Sequence, residues 1–80
     1  MKTRDGIRLS DILRSVRTVP GLSVREGTKH PYILQYSGLR PCPVAESTDA
    51  YRMLTPWLRS ATGLDRNRIY DSLREGAAIA

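Results

Sequence analysis

The two prolines in the stretch Arg40-Pro41-Cys42-Pro43-Val44 constrain this chain more than any other feature. Proline ordinarily argues against a strand, because it lacks the N–H that a ladder needs. Spaced two apart, however, these prolines leave both missing donors on the same lateral edge of an extended segment. Arg40, Cys42 and Val44 stay free to pair on the other side. The segment is therefore expected to be an edge strand whose outer side is closed to further pairing. A chain of 80 residues buries only about 60 to 65% of its unfolded surface, so the sheet must belong to a single core. We expect one domain over residues 1–80, ordered from about residue 7 to 76.

Two further strands precede the proline segment. In "LSVRE", Leu22 and Val24 alternate with Ser23 and Arg25; in "YILQY", Tyr32, Leu34 and Tyr36 alternate with Ile33 and Gln35. Each pattern has the period of a strand with one buried face. The intervening "GTKHP" is short enough for a hairpin connection, with Gly27 able to adopt a positive φ. Ser37-Gly38 marks a second tight turn. The simplest sheet is an antiparallel meander in chain order.

Helical spacing flanks these strands. Leu9, Ile12, Leu13 and Val16 share one face of a helix expected over Ser10–Val19, with Ser10 as N-cap and Pro20-Gly21 as its stop. Ala50, Met53, Leu54, Trp57, Leu58 and Ala61 step by three and four after a cap at Ser47, Thr48 or Asp49. Pro56 falls inside that stripe, so either the helix kinks or Thr55 caps a fresh start with Pro56 in the first turn. Gly63 ends it. Asp65 then caps a last helix that turns Ile69, Tyr70 and Leu73 inward and stops at Gly76. The fold class is α+β: a helix, a three-stranded antiparallel meander, and two C-terminal helices on one face of the sheet.

The single cysteine, Cys42, rules out an intramolecular disulfide, and one thiol with one histidine cannot build a Cys/His zinc site. No cofactor or metal is expected. No apolar run reaches the roughly 18 residues of a membrane span, and the N-terminus lacks a signal-peptide pattern, so a cytoplasmic protein is expected. The net charge is +5, and 11 of the 13 cationic side chains are arginine, whose planar fork suits phosphate. A polyanionic partner fits that balance, as does a plainly solvated basic surface.

His30, the only histidine, sits between the turn and the second strand. Imidazole both takes and gives protons near neutral pH. Lys29, Arg40 and Arg25 are expected near it, and a phosphate held there would meet the groups that RNA cleavage requires: a base, a balancing cation and an acid. The competing structural reading makes His30 a turn residue and nothing more. Cys42 could serve as a nucleophile if His30 reached it, although a lone cysteine among valine and proline is far more often packing. Trp57 and the tyrosines offer stacking surfaces for bases, but their spacing favours the core for Trp57 and Tyr70. Arg52, Arg59, Arg66 and Arg68 are expected to form a basic or simply solvated helical face.

The segment "GTKH" before a strand, "LR" at Leu39-Arg40 opening the next, and "MLTPWLRSATGL" together resemble the HicA family of small bacterial mRNA interferase toxins. Gly27, Thr28 and His30 match that family's turn; Leu54, Leu58, Gly63 and Leu64 suit its helix pattern. The likeness spans about Leu9 to Arg74. It implies a double-stranded-RNA-binding-domain-like (dsRBD-like) fold, metal-independent endoribonuclease activity on mRNA with His30 catalytic, Gly27 and Thr28 shaping the turn, and a HicB-like antitoxin as partner. The chain departs from the family in three ways. It has "PVAEST" where many members carry a second histidine, Pro31 directly after His30, and a third helix. Without the second imidazole, the acid step falls to Lys29, to a water held by arginine, or is lost. Two other functions remain open from the residues: a non-catalytic RNA- or protein-binding module, and an accessory protein of a phage or mobile element.

Overall fold

The computed structural model describes all residues, 1–80. Helix α1 (Leu9–Val16) leads into strands β1 (Ser23–Arg25), β2 (Tyr32–Gln35) and β3 (Cys42–Val44), followed by a π-helical turn (Ala50–Leu54) and helices α2 (Thr55–Thr62) and α3 (Arg66–Glu75). The sheet is an antiparallel meander, β1-β2-β3. Val24 pairs with Leu34 and Leu34 with Cys42, so one face of all three strands turns toward the helices. Leu34 and Val44 are fully buried there, in one cluster with Ile12, Val16, Leu58 and Leu73. Ser23, Arg25 and Gln35 lie on the opposite face, outside the core. The prolines behave as their spacing requires: β3 pairs on one side only.

Helix α1 begins one residue before the expected Ser10 cap and stops three residues short of Val19. The N-terminal segment folds back so that the Met1 carbonyl accepts from the Leu9 N–H at 3.0 Å, which leaves Ser10 no capping role. At the other end the Thr18 hydroxyl donates to the Ser15 carbonyl at 2.6 Å, and backbone bonds tighten to a three-residue spacing through Val19.

Pro56 has a subtler effect than a kink or a fresh start. Lacking an N–H, it gives the Arg52 carbonyl no partner, and the preceding turn widens until the Thr55 N–H reaches the Ala50 carbonyl. Pro56 then occupies the first turn of α2. The widened turn displaces part of the expected stripe, although Ala50 and Leu54 stay buried. Met53, on the expected stripe, is 50% exposed, whereas Thr55, off that stripe, is fully buried with its hydroxyl donating to the Tyr51 carbonyl. Asp49 is the cap, accepting from the Arg52 N–H at 3.0 Å.

Order also extends past the expected 7–76 core. Thr3 and Ile79 are both buried. The Ser15 hydroxyl donates to the Ala77 carbonyl at 2.7 Å, and the Ile79 N–H to the Thr18 hydroxyl at 2.9 Å, which straps the tail across α1. Asp65 caps α3 through the N–H groups of Asn67 and Arg68, and Gly63 and Gly76 close the two last helices, as their positions in the sequence imply. No helix is long and apolar enough to cross a membrane.

Candidate nucleic-acid interface

The turn between β1 and β2 is built around a glycine that is needed for space and not for its φ. Gly27 has no positive φ, contrary to expectation. A Cβ at this position would stand 2.7 Å from the His30 carbonyl oxygen and 3.0 Å from Ile33 Cδ1. Residues 27 to 30 are thus folded onto one another, and that close approach holds the backbone of His30. The imidazole is half-buried and makes no hydrogen bond within the protein, while Thr28 and Lys29 are exposed beside it. Arg25 pairs with Ile33 at the same end of the sheet, on its outer face.

Arg40 does not join this group. Tyr32 pairs with Val44 and Leu34 with Cys42, and the same register continued puts Arg40 across from Tyr36. His30 precedes β2 and Arg40 faces its end, so about 13 Å of strand from Tyr32 to Tyr36 separates the two turns. The expected cluster of His30 with Lys29, Arg25 and Arg40 is corrected at Arg40, which lies at the opposite end of the sheet.

Arg40 is held elsewhere. The Trp57 indole N–H donates to its carbonyl at 2.7 Å, tying α2 to the β2–β3 turn. Trp57 is consequently only half-buried, at the rim of the core and not inside it.

Cys42 faces the core opposite Leu34, and burial pushes its thiol up to about 11. A thiol so disposed stays protonated and is packing; His30 is no partner to it. Arg66 is likewise structural: its Nε donates to the Thr55 hydroxyl at 3.3 Å and its guanidinium lies 4.9 Å from the centre of the Tyr51 ring. Arg52, Arg59 and Arg68 remain exposed. Only Arg14 and Arg74 approach a carboxylate within 4 Å, so the positive surface is largely uncompensated.

The surface has no deep cleft at His30. The largest depression, about 500 Å³, is formed where the N-terminal turn meets α1 and α3 and is lined by Lys2, Arg8, Asp11 and Arg74 among others. No three His, Cys, Asp or Glu side chains converge as metal ligands. The β1–β2 turn is an open rim that carries the imidazole, the exposed Lys29 next to it in the chain and the exposed Arg25 at the end of β1. The residue that sequence reasoning missed is Asp5, which organises the π-helical turn from 45 residues away; an acidic residue in a charged N-terminal stretch carries no signal of that role. No protein-family model, no curated protein and no solved structure matches this chain.

Proposed function

We propose that this protein is an RNA-directed toxin of the HicA-like kind, in which the β1–β2 turn meets the RNA. His30 takes the proton from a ribose 2′-hydroxyl as that oxygen attacks the adjacent phosphorus. Lys29 and Arg25 offset the charge growing on the phosphate, and Lys29 or a bound water protonates the departing 5′ oxygen. These steps call on no metal. In this reading the protein acts on mRNA in the cytoplasm, and a HicB-like antitoxin protein silences it by covering the turn.

The observation that carries the reading is the contact of Gly27 with the His30 carbonyl. It joins the first and last residues of Gly27-Thr28-Lys29-His30 in one folded turn, which supports reading those residues together. The order helix, three-strand meander, helix agrees with the dsRBD-like fold that the resemblance implies.

A second reading, an RNA-binding module without chemistry, draws on two other facts: nothing orients the imidazole by a hydrogen bond, and no depression is lined by it. Inducing the wild-type chain and His30→Ala in bacteria, while following growth and transcript integrity, separates the two. The toxin arrests growth and fragments transcripts, and His30→Ala does neither. Equal arrest by both, or by neither, rules out catalysis through His30. Slowed migration of intact RNA, weakening steeply with salt, is the mark of the binding module.

A further inference from the structure

Trp57 is the only tryptophan of the chain, and its placement is unusual for a residue on a helical core stripe. Its one polar atom is satisfied by the Arg40 carbonyl at 2.7 Å, which pins the edge of the indole at the β2–β3 turn. The ring remains half-buried at the margin of the core, so part of it meets solvent. Met53, one turn earlier, is 50% exposed. The Arg40 side chain is exposed, pairs with no carboxylate and stacks on no ring in the protein. An indole anchored by its N–H and an unpaired guanidinium are therefore carried by two residues joined through the Arg40 backbone, on a protein of net charge +5.

Single-stranded nucleic acid is bound by that combination: a base stacks on the aromatic ring and the neighbouring phosphate meets the cation, with little dependence on base identity. The hydrogen bond of the indole restricts the ring before binding, which reduces the ordering cost of stacking a base on it.

We infer that Trp57 and Arg40 form a base-stacking and phosphate-contact position for single-stranded RNA, at the end of the sheet opposite His30. The inference rests on the RNA reading above and adds a second point of attachment, remote from the chemistry, that sets where along a strand His30 is presented. It also accounts for Arg40, which the register removes from the histidine and leaves without a partner.

Because Trp57 is unique, its own emission reports the contact. The probe is a single-stranded 2′-O-methyl RNA of about 12 nucleotides, within the usual site sizes and unable to react through a 2′-hydroxyl. Saturating the wild-type protein should quench Trp57, and an abasic strand with the same number of phosphates should not. Arg40→Ala keeps the carbonyl that anchors the indole; it should weaken binding and lower the slope of log affinity against log salt by about 0.7. Trp57→Phe, which keeps a ring at the site, should bind more tightly than Trp57→Ala, whose affinity should fall roughly 5- to 150-fold. The Arg40 variant and the abasic comparison keep the test decisive if Trp57→Ala does not fold. Unchanged emission with the intact strand, or equal quenching by the abasic one, overturns the inference. Growth arrest that depends on His30 with no quenching leaves the toxin reading standing and removes this one. Quenching without arrest does the reverse and places the protein among binding modules.

Discussion

Asp5 and Tyr70, 65 residues apart, are joined by a 3.0 Å hydrogen bond from the tyrosine hydroxyl to the carboxylate. The same carboxylate accepts from the Ala50 and Tyr51 N–H groups at 3.0 and 3.2 Å and from the Thr3 hydroxyl at 2.7 Å. One side chain thus takes the first two N–H groups of the π-helical turn that Asp49 caps, anchors α3 and closes the N-terminal turn. Partial burial acts to raise its pKa, but the four donors, led by the Ala50 N–H, outweigh that and hold the carboxyl below its ordinary value. A depressed folded-state pKa contributes stability above the unfolded value and loses it as pH falls through the folded one.

Stability should therefore decline as pH drops below about 4, the ordinary aspartate range. Asp5→Asn retains the shape but loses the charge and turns one acceptor into a donor. It should cost about 1.5 to 3 kcal/mol at neutral pH, the range for hydrogen bonds to a charged group. It should also flatten the acid limb. Urea unfolding of both proteins between pH 3 and 7 reads the two effects together, and parallel acid limbs would show that Asp5 is not their source.

Gly27 and Gly38 make a matched pair. At Gly27 the φ is ordinary and the space is missing; at Gly38 the φ is 83° and a Cβ would meet nothing within 4 Å. Gly27→Ala drives a methyl into a backbone carbonyl and should cost about 1 to 3 kcal/mol while displacing His30. Gly38→Ala should cost about 1 to 2 kcal/mol through the left-handed backbone alone and leave His30 in place. If the proposed toxin reading holds, comparing growth arrest at matched thermal stability isolates the geometry of the turn: Gly27→Ala should lose the arrest and Gly38→Ala should keep it.

What was legible in the sequence follows from short-range physics. The missing donors of Pro41 and Pro43 fixed the edge of the sheet, strict alternation fixed its buried face, and Asp65 announced α3, because each signal acts within a few residues. Asp5 could not be read in that way, since its partners are assembled only when the chain has folded. The phase shift at Pro56 escaped because helical periodicity assumes a constant turn, and the π-helical turn breaks that assumption between Ala50 and Thr55. The separation of His30 from Arg40 is different. It is implicit in a meander, where a residue before the second strand and one opening the third must lie at opposite ends. Adjacent strands are close side by side, and that says nothing about position along them.

The Cys42 thiol gives a clean probe of opening. It is buried and raised to about 11, so at pH 8 it should resist labelling by a thiol-reactive disulfide until the protein unfolds. Its labelling rate in urea should track the unfolded fraction. The raised pKa also sets a sign: its contribution is complete below the free-thiol range and is lost as pH climbs from about 9 toward about 11. Fast labelling of the native protein would show that Cys42 is reachable from solvent.

The C-terminal strap tests how far the core extends. Removing residues 77 to 80 takes away the buried Ile79 side chain, worth about 1.5 to 3 kcal/mol, and leaves the fully buried Ser15 hydroxyl without the Ala77 carbonyl it donates to. It also removes one wall of the apolar groove that Ile79 lines with Val19, Tyr36 and Leu64. Together these should lower the stability by about 2 to 4 kcal/mol, and at about 4 to 8 °C per kcal/mol for a domain of this size the midpoint should fall by more than about 8 °C. Ile79→Ala removes the apolar part and retains the strap's backbone bonds, so it should fall between wild type and the truncation. A truncation that melts with the wild type would mean that the tail lies on the core without contributing to it.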